Sequence, residues 1–283
     1  AVQQENLMIS RRSFHATLLG ASVAFAGLPA AAQGIAGLLP HRAVYNLELK
    51  DASERSGINN MFGRMVYEFT GSACQGYRVN FRFVTQIDTS GEKKVTDQQS
   101  TTFEDPNTGR FEFDSKTFND DRLDKEVSGS AEKGTDTLTV DLVAPIEKQL
   151  SLTAARFPTQ HTIDVIERAK RGDHFFEAQI FDGSDNGDKT LYTSTIVGSP
   201  VAVSADDPDA ANAGLLKAEK TWPVTIAYFD DAKGADALPT YRMSFKLYAN
   251  GVSRDLTMDY GDFVLKGNLV KLDMLPEVAC KTK

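Results

Sequence analysis

Apolar and polar residues alternate with a period of two over much of this chain. In the clearest early stretch, polar side chains separate five apolar ones, which are Tyr77, Val79, Phe81, Phe83 and Ile87. Successive side chains of a strand point to opposite faces, so such a stretch has one apolar face and one face in water. The pattern predicts a half-buried β-strand.

A second alternating stretch surrounds the dipeptide Asn250-Gly251. Four apolar residues precede it and four follow it: Tyr241, Met243, Phe245 and Leu247, then Val252, Leu256, Met258 and Tyr260. Asn-Gly accepts the positive φ angles that a type I′ turn requires. We therefore predict a β-hairpin over 241–260 with a type I′ turn.

Similar segments fill most of the remaining chain and are separated by short polar turns. They are 42–50, 61–70, 94–103, 109–118, 123–131, 136–143, 174–181, 190–197, 223–229 and 262–274. Twelve or so strands joined by tight turns predict a mainly β protein, an antiparallel sandwich or barrel. In the last segment the apolar set changes face around Gly267, which predicts a bulge or a barrel corner there.

One amphipathic helix is predicted around 159–171. Thr159 can cap its start, Gly172 can end it, and Ile163, Ile166 and Ala169 form an apolar stripe. The Asp- and Ala-rich segment 204–220 has little strand character. We expect it to be a surface loop with a short helical turn.

The first part of the chain has the layout of an export signal. Arg11 and Arg12 precede an apolar run that ends before Pro29, and Ala30 to Ala32 offer a cleavage site. We expect a signal peptide over 8–32, starting at Met8, and a single domain over 33–283. The paired arginines could mark export of a folded protein, but an ordinary secretory signal is favoured.

The remaining chain is acidic. The formal net charge is −8, and removal of the leader with Arg11, Arg12 and Glu5 makes it −9. Nucleic acids and anionic membranes need basic surfaces, so neither is expected as a partner. The apolar run of the leader is about 13 residues, whereas a spanning helix needs roughly 20, and no later run reaches that length. We expect a monomer without a transmembrane span.

Chemical motifs are weak. His41, His161 and His174 are too dispersed for a zinc site, and no Gly-x-Ser-x-Gly elbow marks a nucleophile. The segment 182–188 resembles a calcium loop but has Thr193 where a glutamate is required, so a polar turn is favoured. We predict no catalytic residue, no metal ligand and no cofactor.

Cys74 and Cys280 have two interpretations. Distant free thiols are common in the cytosol, whereas two lone cysteines usually pair after export. A disulfide between them would close a loop of about 206 residues and stabilise the fold by roughly 4–5 kcal/mol in chain-entropy arguments. We expect such a bond to hold together the two ends of one long sheet.

Seven segments of the chain, in order, resemble the family of envelope integrity protein B from Gram-negative bacteria of the alpha class. The matching segments are HRAVY at 41–45, GRMVYE at 63–68, GSACQGY at 71–77, FPTQH at 157–161, FDGSD at 181–185, NGVSRD at 250–255 and DYG at 259–261. The resemblance implies a periplasmic protein without known enzymatic activity that is needed for envelope integrity. It also implies an open, many-stranded antiparallel β-barrel with one helix, similar to the periplasmic lipoprotein carriers. A disulfide between Cys74 and Cys280 is implied as well.

An open barrel of this kind could hold an acyl chain or an apolar peptide in a groove lined by Phe81, Phe83 or Phe245. The alternative is that these side chains fill a core, because small barrels usually pack their interiors. We therefore expect a non-enzymatic periplasmic protein that binds an envelope lipid, a lipoprotein or a periplasmic protein. The alternatives are a periplasmic hydrolase acting on envelope components and an outer-membrane barrel, for which the long acidic loops are unsuited.

Overall fold

The structure is a computed structural model that describes residues 37–204, 206–230, 238–278 and 280. The expected signal peptide at 8–32 lies outside these residues. Within them, fourteen strands form one antiparallel sheet. The helices of this part of the chain include none that is long and apolar enough to cross a bilayer.

The strands follow the alternating segments of the sequence closely. They are β1 (His41–Ala52), β2 (Ile58–Ser72), β3 (Gly76–Thr89), β4 (Lys93–Asp105), β5 (Arg110–Asn119), β6 (Arg122–Lys133), β7 (Thr137–Ala144), β8 (Lys148–Thr153), β9 (Phe175–Ile180), β10 (Leu191–Val197), β11 (Trp222–Phe229), β12 (Tyr241–Leu247), β13 (Ser253–Asp259) and β14 (Phe263–Met274). Helix α1 (Pro158–Arg171) joins β8 to β9, and the short helix α2 (Pro208–Ala211) precedes β11. The predictions missed β8.

The order of the strands in the sheet is β8-β7-β6-β5-β4-β3-β2-β1-β14-β13-β12-β11-β10-β9. Neighbours in the sheet are therefore neighbours in the chain, except where β1 pairs with β14. The free edges are β8 and β9, and we call the line between them the seam. At the seam the backbone of Arg156 exchanges two hydrogen bonds with Gln179 and Phe181. The sheet thus curls until its edges meet at one point, without closing along their length.

The predicted hairpin over 241–260 is confirmed as β12 and β13, but the predicted turn type is wrong. Among the turn residues only Gly251 has a positive φ, of 89°, whereas a type I′ turn needs two. Tyr248 N–H donates to Val252 O, which leaves a three-residue loop. The predicted change of face at Gly267 is also displaced. The register of β14 against β1 skips Val270 instead, because Leu269 pairs with Tyr45 and Lys271 with Val44.

Helix α1 lies against the concave face of the curled sheet, which we call the inner face. Val165, Ile166 and Ala169 pack with buried side chains at the α1-facing ends of β9 to β12, including Phe176 and Leu247. The prediction that Thr159 caps the helix is wrong. The first helical residue is Pro158, and Glu104 of β4 supplies the cap by accepting hydrogen bonds from the N–H groups of Thr159 and Gln160.

Candidate binding site

The inner face carries apolar side chains that are not fully covered. Partners in an antiparallel register share a face, so Phe83 lies beside Met65 and Phe81 beside Tyr67. Seven half-buried side chains from β1 to β3 and β12 pack on the central core but keep part of their surface accessible. We call them the apolar wall; they are Leu49, Tyr67, Phe81, Phe83, Ile87, Met243 and Phe245.

The apolar wall differs from the true core of the protein. Phe111, Phe157 and Phe181, which anchor β5, α1 and the segment after β9, are 1%, 1% and 0% exposed. Phe81 and Phe83, at equivalent alternating positions of β3, are only partly covered. The three aromatic residues predicted to line a groove, including Phe245, therefore lie on one face and retain accessible surface. They pack against the central core and leave the rest of their surface uncovered.

Aromatic rings also line the end of the curled sheet that lies away from α1. Tyr228, Tyr241, Tyr260 and Phe263 form a continuous series with ring centroids 5.5, 4.9 and 4.8 Å apart. We call this series the mouth. Burial raises the pKa of both Tyr228 and Tyr241, so these phenols are neutral hydrogen-bonding groups at physiological pH. Tyr260 remains 39% exposed, which gives the mouth a polar rim over an apolar body.

The opposite end of the sheet is closed by α1. Phe157 stacks on Phe111 at 4.9 Å, and Lys133 Nζ lies 4.4 Å from the centroid of the Phe157 ring. Glu104 Oε2 and Oε1 accept from Thr159 and Gln160 at 2.8 and 3.0 Å. Burial raises the pKa of Glu104, although these hydrogen bonds oppose the shift. The inner face therefore ends in a fixed helix at one end and an aromatic mouth at the other.

The three histidines of the described residues, His41, His161 and His174, do not come together. His41 Nδ1 contacts Leu39 O and His174 Nδ1 contacts Val197 O, each at 2.7 Å. His161 packs on the ring of Phe176, and burial lowers its pKa to about 4. Within the described part of the chain, no histidine is hydrogen-bonded to a carboxylate, and no group of three or more His, Cys, Asp or Glu residues could hold a metal ion.

The segment 182–188 supports the core. Cβ atoms added at Gly183 and Gly187 would meet the ring of Phe113 at 2.5 and 3.1 Å, so the backbone of this turn packs directly on β5. Both glycines have positive φ angles. Lys189 Nζ lies 2.8 Å from Asp185 and 2.9 Å from Asp230, which offsets the negative charge of the turn. These contacts account for both glycines and for Asp185 of the turn.

Sequence reasoning missed a buried ion pair next to α2. Arg254 and the carboxylate of Asp207 form it, with side chains 1% and 7% exposed, and Lys246 Nζ lies 2.8 Å from the same carboxylate. Burial would raise the pKa of Asp207, but hydrogen bonds from Lys246 and Arg254 outweigh it and lower the pKa to about 2. The sequence did offer one indication of a buried Arg254: it alternates with the apolar residues Val252 and Leu256.

Asp209 fills a split in the sheet. Pairing between β13 and β14 covers only Leu256 to Asp259 of β13, so the earlier residues of β13 do not reach β14. Asp209 Oδ2 accepts the N–H of Asp255 at 2.8 Å and the N–H of Leu269 at 2.9 Å. The segment 207–213, which we call the wedge, therefore replaces strand pairing with a carboxylate. The expected surface loop is partly buried, since Asp209 and Ala213 are 3% and 0% exposed.

The sulfur atoms of Cys74 and Cys280 lie at bonding distance, 2.08 Å. Cys74 occupies the turn between β2 and β3, and Cys280 follows β14. Because β1 alone separates β2 from β14, this bond does not join the two ends of the sheet, and the expectation that it does so is wrong. The bond fastens the segment after β14 to the middle of the sheet, far along the strand order from the seam.

The comparisons with known proteins agree with this architecture. The family model described as EipB-like matches residues 32–276. The chain is 48% identical over 251 residues to the cell envelope integrity protein EipB of Brucella abortus, covering 88% of this chain and 89% of that protein. A crystal structure titled as a beta-barrel-like protein of the domain of unknown function DUF1849, also from Brucella abortus, is 48% identical, with a TM-score of 0.82. That match covers 85% of this chain and 99% of the other. The chain therefore belongs to the EipB-like family.

Proposed function

We propose that this protein is a non-enzymatic binding protein of the periplasm that supports cell-envelope integrity by holding an apolar ligand against its inner face. The observation that carries the proposal is the apolar wall. Seven half-buried apolar side chains from β1 to β3 and β12 share one face between the end that α1 covers and the aromatic mouth. Sites for small apolar ligands are typically concave and lined by such side chains.

Two further observations support the location and the role. The paired cysteines suit an oxidising compartment such as the periplasm. The relative that is 48% identical over most of both chains is named for cell envelope integrity. His41 and His174 bond backbone carbonyls and His161 packs on Phe176, which is why we propose binding and not catalysis.

A titration with a fluorescent long-chain fatty acid tests binding at the apolar wall. We expect saturable binding by the purified protein and a loss of about 10-fold in affinity for Phe83→Gln, because the substitution places an amide within the apolar surface. Phe62→Gln is the matched control, since Phe62 lies on the opposite face of the neighbouring strand β2 and is 46% exposed. The control is expected to bind as the unaltered protein does.

The same variants test the envelope role in cells. A strain that lacks the protein should become sensitive to detergent, and Phe62→Gln should restore resistance whereas Phe83→Gln should not. Fractionation should recover the protein from the periplasm. Saturable binding that Phe83→Gln leaves unchanged, or equal rescue by both variants, would contradict the proposal.

A further inference from the structure

The inner face changes character where β3 meets β4. The register places Ser100 beside Phe81 and Gln98 beside Phe83, so both lie on the inner face. One strand further, Ser115 lies beside Ser100 and Thr117 beside Gln98. Six uncharged polar side chains therefore continue the apolar wall without a break. We call them the polar wall; they are Thr96, Gln98, Ser100, Thr102, Ser115 and Thr117.

Most of the hydrogen-bonding capacity of the polar wall is unused within the protein. Thr96 Oγ1 donates to Asn119 Oδ1 at 3.1 Å. Among the described residues, the side chains of the other five have no hydrogen-bond partner, and all five are at least partly exposed. On the opposite face of β4, by contrast, Thr101 bonds Asn80 and Gln99 bonds Asp97. The hydroxyl and amide groups of the inner face are thus available to a ligand.

We propose that the ligand of the inner face is an extended polypeptide segment with apolar, uncharged side chains, which lies along β4. This inference rests on the proposed function and specifies its ligand. The apolar wall would take the side chains of the segment, and the polar wall would bond its backbone N–H and C=O groups. An acyl chain has no polar groups along its length, so it would leave the polar wall without partners.

The spacing of the polar wall matches this ligand. Thr96, Gln98, Ser100 and Thr102 are alternate residues of one strand, so their side chains recur about every 6.6 Å. An extended peptide directs alternate backbone amides to one side with the same repeat. Serine, threonine and glutamine side chains both donate and accept hydrogen bonds, so they can bond either the N–H or the C=O groups of the peptide backbone. None of the six carries a charge, and the lysines that share this face, Lys94 and Lys125, stand beside Ile87 and Thr117.

The test uses two probes, a fluorescent acetylated and amidated peptide of alternating alanine and leucine, and a fluorescent fatty acid. In the double variant Thr102→Val and Thr117→Val, two hydroxyls are lost and side-chain shape is kept. We expect the Kd for the peptide to rise about 5- to 150-fold, from about 0.5–1.5 kcal/mol for each of the two lost hydrogen bonds. The Kd for the fatty acid should stay within about twofold.

The matched control is Thr70→Val with Thr139→Val, because both threonines are half-buried and lie on the outer face of β2 and β7. This control should leave both Kd values unchanged. Fatty acid binding without peptide binding, or equal peptide Kd values in the two double variants, would overturn the inference while leaving the proposed function standing. Failure of both probes to bind the unaltered protein would overturn both.

Discussion

Glu104 shows how one buried carboxylate can determine where a helix lies. The residue belongs to β4, yet its two oxygens cap the N-terminus of α1, which follows it by more than 50 residues in the chain. A carboxylate at a helix N-terminus bonds free N–H groups and interacts favourably with the helix dipole. Because the cap comes from the sheet, it stabilises the helix and fixes its position on the inner face.

Replacement of Glu104 should reveal this role. Glu104→Ala leaves two helical N–H groups without their acceptor, so we expect the free energy of unfolding to fall by about 1–2 kcal/mol. Glu104→Gln keeps one acceptor and should lose less. Urea denaturation at pH 7 measures the free energy of unfolding of both variants. An Ala variant as stable as the unaltered protein would contradict the capping role of Glu104.

The pKa of Glu104 adds a pH dependence to this comparison. Burial raises the pKa of the folded state above that of the unfolded chain, so the folded state binds the proton more tightly. The contribution to stability is therefore gained as the pH falls through the raised pKa and is lost as the pH rises through it. Since Gln does not titrate, we expect the stability difference between the unaltered protein and Glu104→Gln to widen from pH 7 to pH 5. A difference that narrows would be inconsistent with a raised pKa.

At the level of elements, the wedge completes the hydrogen bonding of the sheet where two strands separate. Strands β13 and β14 pair only over Leu256 to Asp259 of β13, so the N–H groups of Asp255 and Leu269 would otherwise lack acceptors. Unsatisfied buried backbone groups are costly, so a carboxylate in the split stabilises both strands. The Arg254–Asp207 pair holds the same segment at the residue that precedes α2.

Asp209→Ala should open this split. We expect a loss of about 2–4 kcal/mol in the free energy of unfolding, because two acceptor bonds disappear together. Amide hydrogen exchange at Asp255 and Leu269 should accelerate before that of the remaining sheet. Asp206→Ala is the control, since Asp206 is exposed and lies outside the wedge. Unchanged exchange at both amides would show that the strands do not depend on the wedge.

The elements also show what sequence can predict here. Period-two alternation identified thirteen of the fourteen strands of the described chain, because each has one apolar face and one wet face. Strand β8 was missed because its six residues include only Leu150 and Leu152 as apolar positions. Phe81, Phe83 and Phe245, which the sequence placed either along a groove or in a core, lie on one face of the sheet. The cap by Glu104 and the wedge were not predicted from the sequence, because both join segments that are far apart in the chain and leave no local pattern.

At the scale of the whole molecule, the sheet is held curled by contacts at the seam and by α1. Arg156 bridges the two edges, and Phe181 after β9 packs on Phe111 and Phe113 of β5 at 6.2 and 5.6 Å. The disulfide acts elsewhere, across β1 in the middle of the strand order. Curling and cross-linking are therefore separate features of the fold.

This separation predicts the effect of removing the disulfide. In a variant with Cys74→Ser and Cys280→Ser we expect the free energy of unfolding to fall by about 2–4 kcal/mol, since the bond closes a loop of 206 residues. The far-ultraviolet circular dichroism spectrum should keep its full strand signal. Reducing agent should produce the same loss in the unaltered protein and none in the variant. A spectrum that loses strand signal would show that the sheet needs the disulfide to keep its curled structure.

The central claim is that the apolar wall holds a ligand in the cell. Native mass spectrometry of the protein purified from its own periplasm tests it most directly. We predict a population heavier than the bare chain that disappears on unfolding, persists in Phe62→Gln and is lost or reduced about 10-fold in Phe83→Gln. Protein that carries only its own mass, or equal ligand occupancy in the two variants, would contradict the claim.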